Sequence, residues 1–147
     1  HRDLHSFPTR RSSDLRQPRL RGLSTGNLKG EVDCACFGSP RMTDESTIVI
    51  ALGKNRTLDN LLDNPHACYL IMEPAQNLFE WRGVRLYSKM KRCETSGESV
   101  ETMKTIISEK ADKAAAQMIF AALTFTIEQV RLLADFGQGC EKSILSA

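Results

Sequence analysis

Five consecutive apolar residues, Ile48-Val49-Ile50-Ala51-Leu52, end at Gly53 and are followed by Lys54-Asn55-Arg56-Thr57-Leu58-Asp59-Asn60-Leu61-Leu62 and then Asp63-Asn64-Pro65. A short apolar run bounded by turn residues reads as a buried strand. The stretch after it predicts a short helix that begins near Thr57 and stops before Pro65, because proline cannot continue a helix. A cation, a hydroxyl and the unpaired N–H groups of a helix start therefore come together right after a strand. Those are the parts of an anion site, with phosphate the commonest occupant. The local pattern by itself favours a plainer reading, a capped surface helix with a solvated Arg56.

The 147 residues match one domain with a single sizeable core. No apolar run is long enough to span a bilayer and no signal-peptide pattern opens the chain, so the expectation is a cytoplasmic protein with no membrane partner. Five cysteines, an odd number without paired spacing, predict free thiols instead of a disulfide framework. Residues 1–15, His1 to Leu15, show no periodicity and closely resemble a translated sequencing adapter, so they are set apart from the fold. A basic arm for nucleic acid is the competing reading of that segment. It holds three Arg and two Asp, and without it the net charge falls from +2 to +1. A near-neutral remainder gives no electrostatic case for nucleic acid. His66 is then the one histidine left, which leaves little material for a multi-histidine metal site or a Ser-His-Asp triad.

Further along, Leu20 to Thr25 predicts a strand and Gly26 to Gly30 a hairpin connection. In Glu31 to Phe37 the alternation sets Val32, Cys34 and Cys36 on one face and Asp33, Ala35 and Phe37 on the other. Cys34-x-Cys36 has no second Cys or His pair at zinc-finger spacing, so small buried side chains are expected there and no metal site. Gly38 to Glu45 reads as a break before the Ser46–Leu52 strand. His66 to Met72 predicts another strand, with His66 at its edge. Leu78 to Glu94 predicts a long bent strand or pair: Phe79 and Trp81 alternate with Glu80 and Arg82, Gly83 marks a bulge or a strong bend, and Val84, Leu86, Ser88 and Met90 share a face. Thr95-Ser96-Gly97-Glu98 fits a capping box, with Thr95 as N-cap. The helix that follows carries Val100, Met103, Ile107, Ala111, Ala114 and Met118 as one stripe. Leu123 to Leu132 is the last strand. About six strands with one short and one long helix predict an α+β, mainly β, barrel with helices at its side.

Gly38-Ser39-Pro40-Arg41-Met42, the strand ending at Leu52, Asn55-Arg56-Thr57-Leu58-Asp59-Asn60-Leu61 and Asn64-Pro65, taken in order, resemble the pyridoxamine 5′-phosphate oxidase-like family of FMN-binding split barrels. The small single-domain members are the nearest in pattern, and Gly137-Gln138-Gly139 is reminiscent of some of them. The resemblance spans about Leu20 to Glu141. It implies a split β-barrel of antiparallel strands in Greek-key-like order over residues 16–141, lacking the family's helix before the first strand, with a tail at 142–147. It also implies FMN at a homodimer interface, the phosphate held by Arg56 and Thr57 with Asn55 and Asn60 supporting the turn, and the ring lying along Cys36, Phe37, Ser39, Ala51 and Leu52. The function implied is an oxidoreductase passing electrons from a donor such as NAD(P)H to a small-molecule acceptor. The alternatives are a non-catalytic flavin module, a relative that binds a deazaflavin or heme, and a barrel that has lost its ligand. The true oxidase's C-terminal substrate segment is missing, so a vitamin-pathway oxidase is not expected.

Overall fold

The computed structural model describes residues 19–133. Its elements are β1 (Leu20–Gly26), β2 (Val32–Cys36), β3 (Arg41–Asp44), β4 (Thr47–Leu52), α1 (Arg56–Asp63), β5 (His66–Glu73), β6 (Arg82–Glu94), α2 (Glu98–Lys110), α3 (Lys113–Gln117) and β7 (Ala121–Leu132). The strands form one antiparallel sheet in the order β2-β1-β5-β6-β7-β4-β3, the mainly β arrangement of a split barrel. β6 and β7, of 13 and 12 residues, bind the two halves. Register shifts between Tyr87 and Ser88 and between Met90 and Arg92 bend that pair, as extra residues in one strand do.

The Ile48–Leu52 run is apolar throughout because β4 is covered on both faces. Ile48, Ile50 and Leu52 enter the main core with Leu23, Leu58, Leu61, Tyr69, Leu86, Leu123, Phe125 and Ile127. Ala51, together with Val49, packs under Val100 and Met103 of α2. Each large side chain enclosed this way contributes about 1.5–3 kcal/mol of transfer free energy.

Several expectations need correction. The Gly38–Glu45 break contains β3, so there are seven strands. All four β3 residues are exposed, which leaves no alternation to read; the strand exists because it pairs with β4. Leu78–Glu80 is a 3-10 turn, not strand, because the Asn77 side chain accepts the Phe79 N–H at 2.8 Å. Gly83 is no bulge: it pairs in register with Met72, so close to β5 that a Cβ would collide with the Ile71 carbonyl. Gly97, not Thr95, caps α2, at φ 100° and with no side-chain cap bond. The predicted single helix ends at Lys110. Asp112 then accepts the Ala115 N–H at 2.6 Å and starts α3, which leaves Ala111, Ala114 and Met118 exposed. Residues 1–15, the Gly137-Gln138-Gly139 stretch and the 142–147 tail lie outside the described residues.

Candidate functional site

The Phe37–Pro40 segment, which leads from β2 to β3, meets the end of β4 through Ser39. Continuing the β3–β4 register would set Pro40 opposite Ile50 and Ser39 opposite Ala51. Pro40 has no N–H to give, so the ladder stops there. Ser39 bridges the gap with its hydroxyl, which donates to the Ala51 carbonyl at 3.1 Å and accepts the Ala51 N–H at 3.3 Å. Next to it, the Phe37 carbonyl accepts the Tyr69 hydroxyl at 3.3 Å, and Arg21 reaches the Gly38 carbonyl at 3.5 Å. Burial pushes the Tyr69 phenol up to about 12, against the pull of Arg21 in the other direction. Phe37 packs against the main core, whereas Cys36 is exposed on the opposite face of β2.

β4 then runs into α1. Asn55 is the N-cap, in extended backbone geometry, and its side chain accepts the Leu58 N–H at 2.9 Å. Asn60 donates to the Thr25 hydroxyl of β1 at 3.1 Å in a buried contact. Asp63, at the far end of α1, accepts the Leu28 N–H of the β1–β2 turn at 2.7 Å. The middle and the C-terminal end of the helix are thereby tied to β1 and to the β1–β2 turn. Thr57 is only 2 % exposed, so its side chain is packed inside the domain, and what it offers at the helix start is its backbone N–H. Arg56 is exposed and has no hydrogen bond or ion pair with any described residue. The first N–H groups of a helix have no intrahelical acceptor, and Asn55 satisfies only that of Leu58. The N–H groups of Arg56 and Thr57 remain available beside the guanidinium.

The structure thus joins Ser39 to Ala51 by hydrogen bonds, sets Phe37 against the main core two residues before Ser39, and carries Leu52 directly into the Asn55–Asn60 turn. Asn55 and Asn60 hold the helix in place. Both backbone groups of Ala51 are engaged by Ser39, so that residue's main chain is already satisfied. The sequence reading missed Tyr69 and Arg21, which hold the end of β2, and Lys54, whose ammonium lies 4.5 Å from the centre of the Phe120 ring. Phe120 reaches that position because its N–H bonds the Leu52 carbonyl at 2.8 Å. The Lys54–Arg56 spacing was visible in sequence; nothing local announced Phe120.

No group of three or more His, Cys, Asp or Glu able to hold a metal gathers among the described residues. No helix among them is long and apolar enough to cross a membrane.

No protein-family model and no curated protein sequence matches the chain. Solved structures do. An FMN-binding protein from Syntrophomonas wolfei superposes with a TM-score of 0.70 at 20% identity, over 79% of this chain and 78% of that one. HutZ, the heme storage protein of Vibrio cholerae, gives 0.61 at 17% identity, over 85% and 92%. A Lactobacillus delbrueckii protein assigned, though not demonstrated, as a pyridoxamine 5′-phosphate oxidase gives 0.56 at 14% identity, over 76% and 83%. The chain therefore has the split-barrel fold, shared by FMN-binding and heme-storing proteins. At these identities the likeness speaks for the fold alone.

Proposed function

We propose that the chain binds FMN and works as an oxidoreductase, with the flavin phosphate at the start of α1. The observation that carries this reading is the unpartnered Arg56 guanidinium beside the free N–H groups of Arg56 and Thr57. A dianionic phosphate there gains charge-assisted hydrogen bonds and the favourable end of the helix dipole. Lys54, held over Phe120, adds a second cation two residues away. Asn55 and Asn60 position the turn; the flavin ring would lie along Phe37, Ser39 and the end of β4, while Cys36, on the opposite face of β2, falls outside that wall. FMN supplies the redox chemistry when bound, moving electrons between a donor such as NAD(P)H and a small acceptor. The residues of this chain bind and orient it. The matching partner is a second copy of the chain, with the flavin at the interface.

Heme is the competing ligand, favoured by the likeness to HutZ. It would need an axial group, and His66, whose side chain is 62% exposed and 3.9 Å from Glu128, is the histidine the described residues offer. Absorption spectra after separate incubation with FMN and with heme decide between them. Arg56→Ala tests the phosphate site: losing a charged hydrogen bond costs about 1.5–3 kcal/mol, or roughly 10–100-fold in FMN affinity. Riboflavin, which lacks the phosphate, should bind the variant and the parent equally. An unchanged FMN affinity would put the phosphate elsewhere.

A further inference from the structure

Cys34 and Cys36 were expected to be buried, yet both are exposed on the outer face of β2. Among the described residues β2 is an edge strand, paired with β1 alone, so nothing in them covers the thiols from the side. Cys36 is opposite Gly22, and the Cys34 sulfur lies 3.5 Å from the point where a Cβ on Gly22 would be. The Cys34 sulfur therefore leans over Gly22, the residue paired with Cys36, on a floor that has no side chain. We propose that Cys34 and Cys36 form a two-thiolate clasp for a soft monovalent ion of the Cu(I) class.

Strand geometry narrows the choice. Residues two apart on a strand are separated by roughly 6.7 Å with their Cβ atoms pointing the same way. A disulfide needs Cβ atoms about 3.8 Å apart, so this pair cannot close one without distorting β2. Two metal–thiolate bonds of about 2.3 Å each span most of the gap, and a linear S–metal–S arrangement fits. Zinc asks for four ligands, and no cluster of three or more ligating side chains is present among the described residues. Thiolate donors select Cu(I) among the remaining ions.

Cys68 does not complete a third ligand. It pairs with Ser24, which in turn pairs with Cys34, so two strand spacings, about 10 Å, separate Cys34 from Cys68. Burial also pushes the Cys68 thiol up, keeping it protonated. Binding releases two protons, one from each of Cys34 and Cys36, and involves no change in oxidation state.

The clasp does not depend on the flavin reading. Ligand-free protein, kept anaerobic, is titrated with Cu(I) buffered by bicinchoninate. One Cu(I) per chain should leave the indicator, and the number of thiols that react with an aromatic disulfide reagent should fall by two relative to the metal-free protein. Cys34→Ser and Cys36→Ser should each weaken binding by at least ~100-fold, since even indirect support of a metal ligand is worth about 10–100-fold. Cys68→Ser and Arg56→Ala should leave it unchanged. The proposal is overturned if either Cys34→Ser or Cys36→Ser keeps full affinity, if Cys68→Ser loses it, or if one ion binds per two chains.

Discussion

Arg56 and Asn60 are four residues apart on α1 and have opposite surroundings. Arg56 faces solvent, while Asn60 is 7 % exposed and bonded to Thr25. The second arrangement makes Asn60 a structural residue of the proposed site. Asn60→Ala leaves the buried Thr25 hydroxyl without that donor and should lower stability by about 1–3 kcal/mol. Chemical denaturation should show a lower midpoint with an unchanged slope. Tyr69 shows a different residue-scale effect. Its phenol is raised to about 12 in the fold, against about 10 in an unfolded chain. Between those values the unfolded chain has lost the proton and the folded one still holds it, so stability falls as pH rises. The contribution is complete below about pH 10 and gone above about pH 12. Tyr69→Phe should remove that alkaline decline, and a Tyr69→Phe protein that declines like the parent would show that another group causes it.

Among the elements, β4 was the most legible in sequence. The unbroken run from Ile48 to Leu52 announced burial, and the structure supplies the cause, a core on one side and α2 on the other. α1 was equally readable, since Asn55 is a strong N-cap type and Asn64-Pro65 stops the helix. β3 and the α2–α3 break were not. β3 carries no pattern because nothing covers it, and the helix break depends on Asp112 outcompeting a stripe that looked continuous. Ser39 shows how a side chain can stand in for a strand. Ser39→Ala should expose the Ala51 N–H to solvent exchange, measurable as faster hydrogen exchange at Ala51 with little change at its neighbour Ile50, whose backbone pairs with Leu123 of β7. Exchange at Ala51 equal to the parent's would mean that the bridge does not hold.

At the scale of the whole molecule, the sheet joins a β2-β1-β5 half to a β7-β4-β3 half through β6. The proposed phosphate site lies where β4 leaves that sheet, and α1 is anchored to β1 and the β1–β2 turn through Asn60 and Asp63. Ligand held there stabilises the native state by mass action. FMN at about 100 times its Kd should add about 2.7 kcal/mol, read as a rise in Tm that riboflavin at the same concentration does not match. A Tm that FMN leaves unmoved would contradict the proposed function.

The sequence by itself determined that the Ile48–Leu52 strand would be buried and that a short helix, starting near Thr57 and stopping before Pro65, would follow it. Those properties follow from neighbours along the chain: apolar runs, caps and proline. Only the tertiary structure decided that Cys34 and Cys36 face outward, that Thr57 packs inside while Arg56 stays free, and that Phe120 lies beside Lys54. These depend on which strand pairs with which, and in which register. Alternation in β2 separated its two faces correctly, but only the neighbouring strands could say which of them would meet the core. The same holds at the opening run: its burial was local information, and the anion site proposed at its end rests on β1 holding Asn60 while Arg56 stays in solvent.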